Sequence, residues 1–413
     1  MADTITPPVA WWRRYLRLPR NVLALGLVSL LNDASSEIIY PFLPLFLTLV
    51  LGASPVAIGA IEGLAESVSS LLKLFAGYLS DRLGRRKTLI LLGYGLASIT
   101  RPFIGFAGSW TQVLTLRLFD RTGKGIRGAP RDAMIADAAA PTERGLAFGF
   151  HRAMDHAGAV IGPLVGYGLV WWLAAHPDAL TAQDYRKIFL IAAVPALASL
   201  FVIAFLVQEK PSAAIDETPR APPRLSLAGF DGNFKFFLAL VALFTLSNSS
   251  DAFLLLRARQ AGIPTTTLPL LWAALHAVKV ASSLLGGALS DRLGRKKLII
   301  SGWLLYALVY LGFAFVSSAA GAWTLFLIYG IYFGLAEGAE KALVADLARP
   351  EQRGTAFGMY NLAIGITFLP ASLLMGAIWS WRGPQIAFIM SAVLGTLAAI
   401  LMLGVRARPP RTA

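Results

Sequence analysis

The residues best able to do chemistry are ionisable side chains set inside long apolar segments. Asp33 and Glu37 stand four apart, on one helical face, in the first such segment; Glu62, Glu66 and Lys73 make a similar stripe in the second. A later segment carries Asp120, Arg121, Lys124, Arg127, Arg131 and Asp132, and the next carries Arg152 and Asp155. A charge at the centre of a membrane helix costs about 2.5–3.5 kcal/mol, so each of these residues must face protein or water. Buried pairs that only neutralise one another would account for any single pair, but the whole set points to a polar path through an apolar medium.

Counting about 1.5 Å per residue from the expected helix ends puts Asp33, Glu66, Arg121 and Asp155 at similar depth, where they could form one network. Asp33 lies about eleven residues, or roughly 16 Å, into its helix. Two opposed influences act on its proton, loss of water and a nearby cation. Arg121 is the expected cation and Glu37 an alternative carrier or relay, which makes Asp33, Glu37, Arg121 and Asp155 the candidate proton-coupling set. Glu62, Glu66, Lys124, Arg127 and Arg152 join His276, Lys279 and Glu337 from the second half as substrate-binding candidates. Asp251, Glu340 and Lys341 are the other charges expected inside that half. The added positive potential calls for a substrate with at least one negative group.

Other chemistries find little support. His151 and Asp155 are one turn apart, but no third ligand follows at metal-site spacing, so neither a metal nor a cofactor is expected. The absence of cysteine removes disulfides and thiolate chemistry, and no nucleophile and base stand together as in an enzyme.

The elements that must position these residues are membrane helices. With 56% apolar and 15% charged residues, the chain is too apolar for one soluble core. Helices are expected near 22–50, 55–80, 88–107, 110–137, 145–173 and 186–208, then near 234–257, 266–290, 298–317, 321–347, 354–380 and 384–405. Residues 209–232, with Pro211, Pro219, Pro222 and Pro223, read as a cytoplasmic linker between an N-terminal six-helix bundle (1–208) and a C-terminal one (233–413). Arginines precede the first span, cluster in two hairpins and close the chain. The turns near Gly52, Gly108 and Ala319 carry none. This asymmetry puts both termini in the cytoplasm and explains the basic excess without nucleic acid. A multi-pass protein of a bacterial inner membrane is expected, monomeric and without a cleavable signal peptide.

An eleven-residue stretch occurs twice at an offset of 210: Gly77-Tyr-Leu-Ser-Asp81-Arg82-Leu-Gly84-Arg85-Arg86-Lys87 and Gly287-Ala-Leu-Ser-Asp291-Arg292-Leu-Gly294-Arg295-Lys296-Lys297. A second correspondence, Ile135-Ala-Asp137 to Phe148-Gly149 with Val344-Ala-Asp346 to Phe357-Gly358, runs at 209. Both copies of the hairpin resemble the signature loop between helices 2 and 3 of the major facilitator superfamily of secondary transporters, G-x-L-[SD]-D-R-x-G-R-[RK]-[RK]. The resemblance implies an all-α fold of about twelve membrane helices in two pseudo-symmetric six-helix bundles, with the binding site between them near the midplane. It also implies a cytoplasmic gate of Gly77, Asp81, Arg85 and Asp137, in which Asp81 meets the N-terminal end of helix 11 and Arg85 reaches Asp137. Asp291, Arg295 and Asp346 would repeat that relation.

Two shorter motifs extend the resemblance. Arg121-Thr-Gly123-Lys124-Gly125 is similar to the helix 4 motif associated with proton transfer in the family. Gly158-Ala-Val-Ile-Gly162-Pro163-Leu-Val-Gly166 resembles the helix 5 motif of exporters, with Tyr167 in place of its last glycine; close helix packing explains these glycines equally well. The resemblance therefore implies proton-coupled efflux of a polar or charged small molecule by alternating access, with symport of an organic anion or metal chelate as the alternative.

Overall fold

The computed structural model describes residues 18–83, 85–139, 144–177, 179–209, 227–348 and 353–406. Among them are twelve helical rods and no strands. The first six are α1 (Arg20–Ile39, continued by Leu43–Leu45 and a π-helical turn Phe46–Val50), α2 (Pro55–Leu83), α3 (Arg86–Phe103), α4 (Trp110–Ala138), α5 (Arg144–Leu173) and α6 (Ala182–Ile191 and Ala193–Leu206). The second six are α7 (Gly232–Ser247 and Ala252–Gln260), α8 (Leu268–Leu293), α9 (Arg295–Phe315), α10 (Ala319–Leu347), α11 (Arg353–Arg382) and α12 (Pro384–Leu401). Ten of the rods contain a stretch long and apolar enough to cross a membrane; α4, with its row of charges, and α8 as described are the two that do not.

Two expected rods are broken. α1 stops at Ile39 because Pro41 and Pro44 lack the backbone N–H that the helix would need. α7 is interrupted at Asn248-Ser249-Ser250-Asp251, where polar side chains find partners other than the helical ladder: the Ser250 hydroxyl accepts from the Ala252 amide at 3.2 Å, Asn248 donates to the Tyr332 hydroxyl at 3.3 Å and Asp251 accepts from the Tyr329 hydroxyl at 2.7 Å.

The same caps start equivalent rods in each half. Ser109 accepts from the Gln112 amide at the head of α4, and Ser318 from the Gly321 amide at the head of α10. Gly294 takes a φ of 89° in the tight turn between α8 and α9, which only glycine adopts without strain. Its counterpart, Gly84, lies outside the described residues. The turn also explains the change of offset. α3 begins at Arg86 and α9 at Arg295, so structural equivalence runs at 209 from there onward, one residue short of the hairpin motif.

The halves meet at the end opposite the basic hairpins. There α2 lies on α11, with the Ser67 hydroxyl donating to the Gly365 carbonyl at 2.5 Å. A Cβ at Gly63 would stand 3.0 Å from the Leu369 Cα, so the two helices touch backbone to backbone. An apolar cluster around Phe42, Phe46 and Phe253 completes this closed end, drawing on both halves. Basic residues occur here as well: Arg257 donates to the carbonyls of Phe313 and Val316 at the end of α9, each at 2.9 Å, and Arg186 to that of Gly105 beyond α3 at 3.1 Å.

Candidate functional site

Between the halves lies a cavity of about 940 Å³. It opens toward the hairpin end, where the side chains of Arg152 and Glu337 at its rim are 66% and 57% exposed. Every proton-coupling and substrate-binding candidate named from the sequence lines it: Asp33 and Glu37 from α1, Glu62 and Glu66 from α2, Arg121, Lys124 and Arg127 from α4, Arg152 and Asp155 from α5, and His276, Lys279 and Glu337 from the second half.

Glycines aim the charged faces inward. In the Arg121-Thr-Gly-Lys-Gly stretch, Gly123 rests on the Gly93 backbone of α3, and a Cβ at Gly125 would stand 2.6 Å from the Leu72 Cβ of α2. Those contacts turn Arg121 and Lys124 toward the cavity. The α5 stripe does the same for the acids. A Cβ at Gly158 would lie 2.5 Å from the Leu30 carbonyl and 3.0 Å from the Asp33 Cβ, one at Gly162 2.5 Å from the Ala34 carbonyl, and one at Gly166 3.2 Å from the Phe42 ring. The stripe thus packs α5 directly behind Asp33 and Glu37, and Pro163 sits buried within it.

The ion pairs differ from the expected network. Arg101 bonds Asp120 at 2.9 Å and the Asn32 carbonyl at 2.9 Å; Arg117 bonds both oxygens of Glu62, at 2.8 and 2.9 Å. Arg121 does not pair with Asp33. It lies 4.0 Å from Asp120, its other carboxylate neighbours are Glu66 and Glu62, and its Nε has no acceptor. The reason is rotational: Arg121 leans from α4 toward α2, and the cations whose fields reach Asp33 are Arg127 and Lys124. Asp33 instead accepts from the Asn32 amide at 2.9 Å. Asp155 receives the Ser29 hydroxyl and has His151 Nδ1 and Arg152 Nη1 each 3.6 Å away.

Glu37 makes a bond that sequence spacing did not foreshadow. It accepts from the Trp272 indole N–H at 2.7 Å, across the seam between the halves. Within the second half, Lys279 lies 3.6 Å from Asp251 and 3.7 Å over the Phe333 ring, with Trp272 and Tyr329 at 5.5 and 6.0 Å. Glu340 is held by Trp303 and Tyr360, each donating at 2.7 Å. Glu337 pairs with Lys341 at 2.7 Å, while both nitrogens of His276 are buried without a partner.

At the hairpins, Arg295 pairs with Asp346 and also donates to the Ala342 carbonyl at 2.8 Å. Asp137 pairs with Arg86, not with Arg85 as the motif spacing suggests. The one-residue offset change places Arg86, rather than Arg85, in the position of Arg295. The surroundings of Gly77, Asp81 and Asp291 lie outside the described residues.

Arg101, Arg117, Trp272 and Tyr360 are the participants that sequence reading missed. The two arginines sit six or seven residues from an expected helix end, where a charge is cheap to place at the interface. The aromatic donors carry no sequence signal apart from the acids they meet.

A profile of the Major Facilitator Superfamily matches residues 25–366 and 236–413. The chain belongs to this superfamily. Over 392 residues it is 36% identical to an uncharacterized MFS-type transporter, MJ1317, of Methanocaldococcus jannaschii, covering 94% of this chain and 95% of that protein. It is 23% identical over 399 residues to the multidrug resistance protein MdtG of Escherichia coli O81, covering 94% and 92%. The crystal structure of a D-xylose-proton symporter superposes with a TM-score of 0.73 at 20% identity, over 94% of this chain and 97% of that one, a likeness of fold. As a superfamily member, the chain is a membrane transport protein and not an enzyme.

Proposed function

We propose that this transporter exports a polar small molecule bearing a negative group in exchange for protons, by alternating access. The carrying observation is the junction at Glu37: an acid on the first half, one turn from Asp33, bonded to Trp272 of the second at the closed end. That bond is charge-assisted only while Glu37 is ionised, so a proton on Glu37 weakens the seam that holds this end shut.

In the cycle, the two bundles, 1–208 and 233–413, rock about the cavity, joined by the 209–232 linker. The hairpin end is cytoplasmic, as are both termini, and the protein works as a monomer in a bacterial inner membrane. Substrate enters from the cytoplasm and its negative group meets Lys124, Arg121 and Arg127. Opening the other end breaks the Trp272 bond and exposes Glu37 and Asp33 to outside water. There they take up protons, and the substrate leaves outward. The outer end closes over the protonated acids, and the Trp272 bond regains its charge assistance only as the protons pass inward with Asp155 and Arg152 at the exit. Arg86–Asp137 and Arg295–Asp346, each within one half, are formed while the hairpin end is open, so they brace the two bundles and do not by themselves hold that end closed. The names of the multidrug resistance relatives support efflux.

The reading is tested with Asp33→Asn, Glu37→Gln and Arg121→Lys in proteoliposomes. Asp33→Asn and Glu37→Gln should abolish the response to a pH gradient yet retain substrate exchange without one. Normal gradient-driven transport in all three across pH 5.5–8 would end the proposal.

A further inference from the structure

The cavity is divided by chemistry, and the division indicates what it holds. This step rests on the central cavity being the substrate site, and extends it to the substrate's class. One wall, α4, presents cationic donors short of acceptors: Arg121 Nε, 4.0 Å from Asp120, and Arg127 Nη1, whose guanidinium stacks 4.1 Å over the Tyr94 ring, are buried without a hydrogen-bond acceptor, and Lys124 forms no ion pair among the described residues. Leaving such donors buried and unmade is costly, so a ligand that supplies acceptors there is strongly favoured.

The facing wall is aromatic, with Tyr40, Trp272, Tyr332, Phe333 and Phe368 lining the cavity from α1, α8, α10 and α11. Rings in a pocket admit two ligand types, an organic cation over their faces or a planar group stacked on them. Lys279 decides between the two. Its ammonium already sits 3.7 Å over Phe333 and 5.5 Å from Trp272, so a second cation would meet a like charge where the ring faces are most negative. Phe368 is half-buried, lines the cavity and has no ring partner among the described residues. His276 adds two buried, unpartnered nitrogens, a donor and an acceptor for a polar substituent.

From this division we infer that the transported molecule is an aromatic anion, its acid group on Lys124, Arg121 and Arg127 and its planar body against the ring wall. The cavity, at about 940 Å³, accommodates a drug-sized ligand.

The test is equilibrium binding to the purified full chain in detergent, with no pH gradient, so it is independent of coupling and direction. Three probes of fixed charge are titrated calorimetrically: 1-naphthalenesulfonate, cyclohexanesulfonate and naphthylmethyl-trimethylammonium. Naphthalenesulfonate should bind about three- to tenfold more tightly than cyclohexanesulfonate, the difference made by ring stacking, and the ammonium should bind more weakly than either. Lys124→Gln should weaken both sulfonates about tenfold, as expected for loss of a charged donor. Phe368→Leu or Tyr40→Leu should remove the preference for the naphthyl ring, weakening naphthalenesulfonate more than cyclohexanesulfonate. Tighter binding of the ammonium, equal binding of the two sulfonates, a ring preference that survives both ring substitutions, or no binding of any probe overturns the inference. Binding as expected without proton-driven transport would instead refute the coupling reading and leave the substrate class intact.

Discussion

Replacing Trp272 with Phe removes one hydrogen-bond donor from the seam between the halves while keeping an aromatic ring beside Tyr40, whose centroid is 4.9 Å away. The lost interaction is an indole N–H on the Glu37 carboxyl oxygen at 2.7 Å. A hydrogen bond to a charged group contributes about 1.5–3 kcal/mol, and about 1.4 kcal/mol is a tenfold change in an equilibrium. Because the bond exists only while the end opposite the hairpins is closed, the ratio of closed to open at that end should fall by roughly 10- to 150-fold. Glu37→Gln leaves a neutral acceptor and should shift it less, by roughly two- to tenfold. Acidification should push the wild type the same way, since protonation also removes the charge, and the Gln variant should lose that part of the response. The chain has no cysteine, so spin labels at Ala153→Cys and Asn361→Cys can report the width of the hairpin-end mouth without removing native thiols. Trp272→Phe should shorten the distance distribution between the two labels as that end closes. An unchanged distribution in Trp272→Phe at both pH 6 and pH 8 would refute the reasoning.

Three other outcomes follow from the packing. Gly162→Ala places a methyl 2.5 Å from the Ala34 carbonyl and should cost about 1–3 kcal/mol, seen as a lower melting temperature in detergent, whereas Gly168→Ala meets nothing within 4 Å and should be neutral. Arg101→Gln removes the closest partner of Asp120 but leaves Arg117 and Arg121 at 3.7 and 4.0 Å, so it should destabilise by about 1.5–3 kcal/mol, the loss of one charged hydrogen bond, measured as loss of folded protein after mild heating. Arg86→Gln should raise labelling of a cysteine at the exposed position 88 on α3, and Arg85→Gln should not, because Asp137 pairs with Arg86; the pair is partly exposed, so the effect is about 0.2–1 kcal/mol.

The fold was readable because the bilayer imposes long apolar spans and the repeat marks two halves. The rods begin and end within a few residues of expectation, apart from the breaks at Pro41 and Asn248-Asp251, where polar or proline residues sit inside apolar stretches and length alone hides them. Which charges line the cavity was legible for the same reason: a charge in an apolar helix must face the interior, as Asp33, Glu66 and Lys124 do. Pairing was not legible. Which carboxylate Arg121 approaches depends on how α4 is rotated by Gly123 and Gly125 against its neighbours, and Trp272 meets Glu37, 235 residues away in the chain, only after the two halves pack together. The hairpin pairs show the limit most simply, since the helix after the first hairpin starts one residue later in the motif than the helix after the second, and Asp137 accordingly pairs with Arg86 where Asp346 pairs with Arg295.

We propose that an anion is exchanged for protons through the Asp33 and Glu37 acids. The most direct test of this exchange uses liposomes containing the protein, loaded with 1-naphthalenesulfonate and an internal pH dye, and diluted into buffer that is either acidic or matched in pH. An acidic exterior should speed sulfonate loss with matching internal acidification in the wild type, and Asp33→Asn and Glu37→Gln should lose both responses while still exchanging sulfonate for sulfonate. Wild-type sulfonate loss at the same rate with and without the gradient, and with no proton movement, would contradict the account.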